Sequence, residues 1–454
     1  MKKPNIILIN CDDLGYGDLN CYGSEHNKTP YLDKMASEGI RFTDFYMASP
    51  VCSPSRGAMM TGCYPPRIGF GSFDTPCPVL TAGSGLGLNP KETTIASLLK
   101  KTGYATKLVG KWHCGDQPEF LPTRHGFDEY YGLPYSNDMG RQNGRTNNPP
   151  PLPLLLNEEV IQEQPDLSAL TERYVEQCVS FIRNNRNSPF FLYFAHMHVH
   201  RPIYAPQSFL EESENGRYGA GVAQVDWSTG VIFSELKKLG IDDDTLVVFT
   251  SDNGSRASGE GGSNAPLRGT KRTTWEGGMR VPCIMRWPGH IEAGQTCSEI
   301  VSSMDFYATF ANLTGVSVPD DRITDSLDIS SLLLEKNKRS PRDTFFYYYK
   351  NDLEAVRHDE WKLHIRKHGE KTIELYNLKE DISETKNIYN EHPDIVKKLE
   401  TLLQSARNDT GDEALGIKGA NCRPPGIVKN PRALTEYNPE HPYFQAMYDL
   451  RDSG

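Results

Sequence analysis

Four short apolar runs, NIILIN (5–10), ATKLVG (105–110), FFLYFAHM (190–197) and TLVVFTS (245–251), are rich in β-branched and aromatic residues and lie between polar or glycine-containing stretches. Runs of that length with no polar face predict strands buried on both sides. Between them, helical periodicity predicts helices in TTIASLLKKTG (93–103), LTERYVEQCVSFIRNN (170–185) and VAQVDWSTGVIFSELKKLG (222–240). Strands alternating with helices predict an α/β fold: a large mixed, mostly parallel sheet sandwiched by helices. In such sheets ligands bind at the carboxyl ends of the strands.

After about residue 330 the pattern changes. DTFFYYYK (343–350), LEAVRHD (353–359), EWKLHIRK (360–367) and TIELYNL (372–378) are closely spaced strand candidates, followed by one helical stretch, DIVKKLETLLQSA (394–406), and a Pro- and Asn-rich tail. We therefore expect two parts, 1–335 and 336–454, the second a small antiparallel sheet with a helix and tail. The segment 141–168, RQNGRTNNPPPLPLLLNEEVIQEQPDLS, is expected to be a long surface excursion near the site. No internal repeat is found.

Composition narrows the function. The 454 residues carry 49 Lys+Arg against 59 Asp+Glu, a formal charge of −10, with no basic run, which disfavours nucleic acid. A local basic pocket for a small anion stays open. The start, MKKPNIILINCDD, has too short an apolar run for a signal peptide, and no segment is long enough to cross a bilayer. The expected location is the cytoplasm, or outside it for a mature form whose leader has been removed. Ten cysteines are scattered without CxxC pairs, which suits free buried thiols.

Polar residues cluster just after the predicted strands. The first run ends in Cys11-Asp12-Asp13, the last in Asp252-Asn253, ATKLVG in Lys111-Trp112-His113, and FFLYFAHM runs into His198 and His200. Parallel strands would bring these ends to one rim. Adjacent carboxylates repel unless a cation holds them, and the oxygen set Asp12, Asp13, Asp252 and Asn253 suits a hard ion, Ca²⁺ before Mg²⁺, better than Zn²⁺. Arg56, Lys111, Lys271, His113 and His200 supply positive charge and protons for a tetrahedral oxyanion. Period-two spacing at a strand end points Lys111 and His113 to one face. The residues alone thus describe a hydrolase with one hard metal acting on a phosphate or sulfate ester, its nucleophile unassigned. Cys52 could be nucleophile, disulfide half, metal ligand or small apolar residue.

Two motifs go further. CSPSRGAMMTG (52–62) resembles the first signature of the type I, formylglycine-dependent sulfatases, with Met60 where leucine is commoner, and GYATKLVGKWHCG (103–115) resembles the second. DDLGYGDLNCYG, GLPYSND, SDNG, LRGTKRTTWEGGMRVPCIMRWPG and ELYNLKEDISETKNI are similar to further segments of the arylsulfatase A-like branch, so the resemblance spans nearly the whole chain. It implies an alkaline-phosphatase-like fold with residues 1–335 as catalytic domain. It also implies that a formylglycine-generating enzyme oxidises Cys52 to formylglycine, whose hydrated diol joins Asp12, Asp13, Asp252 and Asn253 on Ca²⁺ and attacks sulfur. By the same resemblance Arg56 and Lys111 stabilise the diol, and Lys111, Lys271 and Ser136 contact sulfate. His200 and Lys271 assist the departing oxygen, with His198 as the competing choice, and His113 deprotonates the second hydroxyl to release sulfate. The expected substrate is a small-molecule sulfate monoester. Apolar residues in 69–87 and 149–159 favour aryl or steroid sulfates, while GRQNGRTNN (140–148) would suit a glycan. A phosphonate or phosphate monoester hydrolase and a non-catalytic anion-binding protein are the other readings.

Overall fold

Alternation within the first strand explains the layering. In Asn5–Cys11, Ile6 and Leu8 join the apolar layer on one side of the sheet, and Ile7 and Ile9 the layer on the other. Both faces are buried, so the strand reads as a continuous apolar run. The computed structural model describes residues 3–73, 77–142 and 149–441. Its main sheet has ten strands, in the order Gln295–Cys297, Ile40–Phe42, Cys283–Arg286, Thr245–Ser251, Asn5–Cys11, Phe190–Ala195, Ala105–Gly110, Glu129–Gly132, Pro153–Leu156 and Glu159–Glu163. The five strands from Thr245–Ser251 to Glu129–Gly132 run parallel, and antiparallel strands flank them on both sides. All four strands predicted for the large sheet belong to this parallel block.

Helices Ile95–Lys100 and Asp305–Thr314 pack on one face with the all-buried helix Cys52–Thr61, and helices Pro30–Ser37, Leu170–Asn184 and Gly216–Leu239 on the other. Strands Thr344–Tyr349, Asp352–His358, Trp361–Lys367 and Glu370–Asn377 form the second, antiparallel sheet in sequence order, and helix Pro393–Thr410 packs on it. Its apolar core continues into Tyr46, Ala58, Met279 and Met304 of the larger part.

Two expectations change. The stretch 141–168 is not a surface excursion throughout: Pro153–Leu156 and Glu159–Glu163 form a hairpin that extends the main sheet, turning at Asn157 with φ of 57°. Leu152, Leu154 and Leu155 are fully buried, as is Phe70 in the earlier loop, so these apolar side chains belong to the core rather than to a pocket wall. Residues 143–148, most of the polar GRQNGRTNN, lie outside the described residues. The tail also has structure: Gly426–Ile427 pairs with Leu86–Gly87. Cys11, Cys52, Cys63, Cys114, Cys178 and Cys283 are buried thiols. Among the described residues no helix is long and apolar enough to cross a membrane.

Candidate active site

The parallel register sets the first half of the site. Cys11 lies opposite Ser251, so the next residues on the two strands, Asp12 and Asp252, emerge side by side. Asp13 has φ of 62°, a left-handed conformation that aspartate tolerates better than most residues. Its backbone N–H donates to Asp252 Oδ1 at 3.2 Å. Asn253 Nδ2 donates to Asp13 Oδ1 at 2.7 Å, while Asn253 Oδ1 is buried without a partner.

Cys52 is the first residue of its helix, where N–H groups and the macrodipole favour negative charge. Its Sγ is 3.5 Å from Asp12 Oδ1. One donor atom from each of Asp12, Asp13, Cys52 and Asp252 falls within 4.8 Å of the others, and Asp12, Cys52 and His200 form an overlapping group. One turn into the helix, Ser55 Oγ donates to Asp252 O at 2.5 Å and Arg56 Nε donates to Asp252 Oδ2 at 2.8 Å. The Arg56 Nη1 atom donates to Lys111 O at 2.8 Å.

Lys111 and His113 do converge, but by a turn rather than by the pleat. The strand ends at Gly110, whose φ of 111° and whose contact with Ala195 O, 1.8 Å from where a Cβ would sit, admit no side chain. Lys111 Nζ then bonds Asp12 and lies 3.3 Å from Ser136 Oγ. His113 Nε2 faces Leu80 O at 3.0 Å; a carbonyl only accepts, so the proton belongs on Nε2 and Nδ1 is an acceptor, buried without a partner. Lys271 Nζ is 2.8 Å from Asp13. His200 Nε2 lies 3.9 Å from Asp13 and 3.4 Å from Ser136 Oγ, whereas His198 packs at Gly221 and Gln224.

All eleven sequence-nominated residues therefore lie in one buried cluster, with three carboxylates facing three fixed cations. Burial pushes the Asp12 carboxyl up, but Lys111, His200 and Arg56 outweigh it and hold it well below the usual range. Lys271 does the same against burial for Asp13. Asp252 is pushed up to about 6 by burial and by Asp12. Cys52 is pushed well above an ordinary thiol by burial and by Asp12 and Asp252, so it stays protonated. Burial and Lys111 drive His113 far down, leaving it neutral.

A hard cation fits this donor set. Three carboxylates converge with an orphaned amide oxygen, and hard oxygen donors are what Ca²⁺ and Mg²⁺ select. Sequence reasoning missed the supports. Leu80 O orients His113, and Asp18 accepts from Gly15 N at 2.7 Å, Ser263 N at 2.8 Å and the Tyr218 hydroxyl, tying down the loop after Asp13. A backbone carbonyl has no residue-type signal, and the acid of GYGD offered nothing beyond its place in the motif.

The family model described as Sulfatase matches residues 4–316. This chain belongs to the sulfatase family. A second model, N-sulphoglucosamine sulphohydrolase, C-terminal, matches residues 269–409 of the same sulfatase. The N-acetylgalactosamine-6-sulfatase of Rattus norvegicus is 42% identical over 385 residues, 80% of this chain and 72% of that protein. Arylsulfatase A of Homo sapiens is 40% identical over 392 residues, 81% of this chain and 76% of that one. Among solved structures, that of Ps i-CgsB in complex with k-i-k-neocarrahexaose superposes with a TM-score of 0.80 at 31% identity, covering 92% of this sulfatase and 96% of that chain. The protein is thus a sulfuric ester hydrolase with the expected alkaline-phosphatase-like fold, and a family of its kind uses formylglycine and a divalent metal.

Proposed function

We propose that this sulfatase removes sulfate from an O-sulfated carbohydrate, using a nucleophile made from Cys52 by a formylglycine-generating enzyme. The observation that carries the chemistry is the meeting of Asp12, Asp13 and Asp252 with Arg56, Lys111 and Lys271 around Cys52, all buried. A thiol kept protonated in that setting is a poor nucleophile. Formylglycine at this position supplies a hydrated aldehyde, and hence a hydroxyl nucleophile. Asp12, Asp13, Asp252 and Asn253 would hold a Ca²⁺ beside residue 52, and the ion would supply positive charge there.

The chain's own groups do the rest. Arg56 and Lys111 offset charge beside residue 52, and Ser136, Lys111 and Lys271 bind the sulfuryl oxygens. Lys271, held charged against burial by Asp13, assists the departing oxygen together with His200. His113, neutral and with Nδ1 open, is the base for the second residue-52 hydroxyl.

Support for a sugar over an aryl or steroid substrate comes from what surrounds these groups. Phe70, Leu152, Leu154 and Leu155, which could have lined an apolar pocket, are core residues, and Leu156 is exposed. Chain neighbours of the site are polar instead: Arg201 beside His200 pairs with Glu260 at 2.7 Å, Asn137 follows Ser136, and Arg272, beside Lys271, is exposed. Relatives named for N-acetylgalactosamine 6-sulfate and the neocarrahexaose complex agree with this reading, whereas arylsulfatase A leaves an aryl sulfate as the competitor. The test is kcat/KM on a sulfated N-acetylhexosamine, nitrophenyl sulfate, a steroid sulfate and nitrophenyl phosphate. The sugar sulfate is expected to exceed the steroid sulfate; the reverse order would overturn the carbohydrate reading, and a preference for the phosphate would overturn the reaction class.

A further inference from the structure

Lys271 reaches the site on irregular chain: residues 252–275 contain no helix or strand. Near Lys271 the catalytic side holds this segment by Lys271 N to Ser255 O at 3.0 Å within it and by Arg272 N to Pro50 O at 2.9 Å, and further back by Gly17 N to Ser263 O at 2.9 Å and Ser263 N to Asp18 Oδ1 at 2.8 Å. Its other side rests on the C-terminal sheet. There Lys362, fully buried, points its ammonium at Thr274 O at 2.9 Å, Glu276 Oε1 at 2.8 Å and Glu384 Oε1 at 2.9 Å. Three N–H donors meet three acceptors, and two of those belong to the segment just after Lys271.

The carboxylates extend the grip. Glu384 Oε2 accepts from Glu276 N at 2.8 Å and its carbonyl accepts from Arg268 Nη1 at 2.8 Å. Thr274 Oγ1 donates to Glu354 Oε2 at 2.6 Å, and Tyr347 from the same sheet donates to Glu276 Oε1 at 2.7 Å. The residues on either side of Lys271, from 268 to 276, are thus clamped by groups 71 to 116 positions later in the chain. None of these groups is among those placed at the ester.

We propose that Lys362 is a positioning residue for Lys271: by holding Thr274 and Glu276 it fixes where the Lys271 ammonium sits, so the C-terminal sheet sets the turnover of the catalytic site. This rests on the reading of Lys271 as a group at the departing oxygen. A misplacement of about 1 Å in such a group can cost up to ~10²-fold in rate. Help to the departing oxygen matters most for a poor leaving group, a sugar alcohol, and least for nitrophenolate.

The experiment compares wild type, Lys271→Ala, Lys362→Met and the double variant, measuring kcat on a sulfated sugar and on nitrophenyl sulfate. Expected are a loss approaching ~10²-fold for Lys362→Met on the sugar sulfate, a smaller loss on nitrophenyl sulfate, and no further loss when Lys362→Met is added to Lys271→Ala. Equal losses on both substrates and in both backgrounds would show a merely structural residue and overturn the proposal, as would full kcat in Lys362→Met. Full kcat in Lys271→Ala would instead overturn the reading beneath it. Should Lys362→Met not fold, Lys362→Met with Glu384→Gln removes both charges together, leaves no lone carboxylate at Glu384, and is read by the same criteria.

Discussion

Cys52 is surrounded by groups that suit an oxygen nucleophile and disfavour a thiolate. Asp12 and Asp252 oppose ionisation of sulfur, while the helix start and the basic residues favour charge developing on a ligand. Cys52→Ala is expected to abolish turnover while leaving Tm nearly unchanged, because a small buried residue replaces another; thermal melts beside a sulfate-release assay check both. For His113→Gln the amide can still meet Leu80 O but cannot act as a base, so kcat should fall by about 10²- to 10⁴-fold with the fold intact. Residues that end strands, Asp12, Asp13, Lys111, Asp252 and Asn253, were legible because chemistry and strand pattern coincide in sequence. Leu80 and Ser55 were not, since their contribution is a carbonyl and a buttressing hydroxyl that only the folded chain brings near.

At the scale of elements, the buried parallel strands were legible from apolar runs, and so was the second sheet, because its strands follow one another with turn residues between. The hairpin Pro153–Leu156 and Glu159–Glu163 was hidden by its prolines and short strands, which read as loop until pairing with Glu129–Gly132 supplies the missing hydrogen-bond partners. The helix Cys52–Thr61 shows what periodicity cannot reveal: it is buried all round, so it has no polar face to give a pattern. Its packing is tight at Gly57, where a Cβ would lie 2.7 Å from the Phe70 ring. Gly57→Ala should therefore destabilise by about 1–3 kcal/mol through overpacking. A lower Tm together with reduced specific activity is the expected result, since the same helix carries Cys52 and Arg56.

Across the whole molecule, the α/β layering and the separate C-terminal sheet followed from the alternation of strands and helices, whereas the order of the strands, the sides taken by the helices and the join between the two sheets did not. Buried charges such as Lys362, Glu276 and Glu384 look, in sequence, like ordinary surface residues. Several buried imidazoles also give the molecule a collective acid response. Burial pushes His125 down to about 3, and burial with nearby positive charge or histidine drives His196 and His364 lower than usual. Each is neutral when folded but takes a proton when unfolded below about pH 6.5, so stability present above that pH is lost as pH falls toward the folded value. Melting from pH 7 to pH 5 should show Tm falling, and His125→Phe should fall less. Chelation should abolish turnover and lower Tm, with Ca²⁺ restoring both, because three carboxylates then lose their common cation.

The central claim is that residue 52 works only after it ceases to be a cysteine. It is tested by the mass of the tryptic peptide Phe42–Arg56 from fully active protein, measured beside its specific activity. The predicted result is a peptide in which the CH₂–SH group is replaced by an aldehyde, with activity proportional to that fraction. An unmodified cysteine throughout in fully active protein would contradict it.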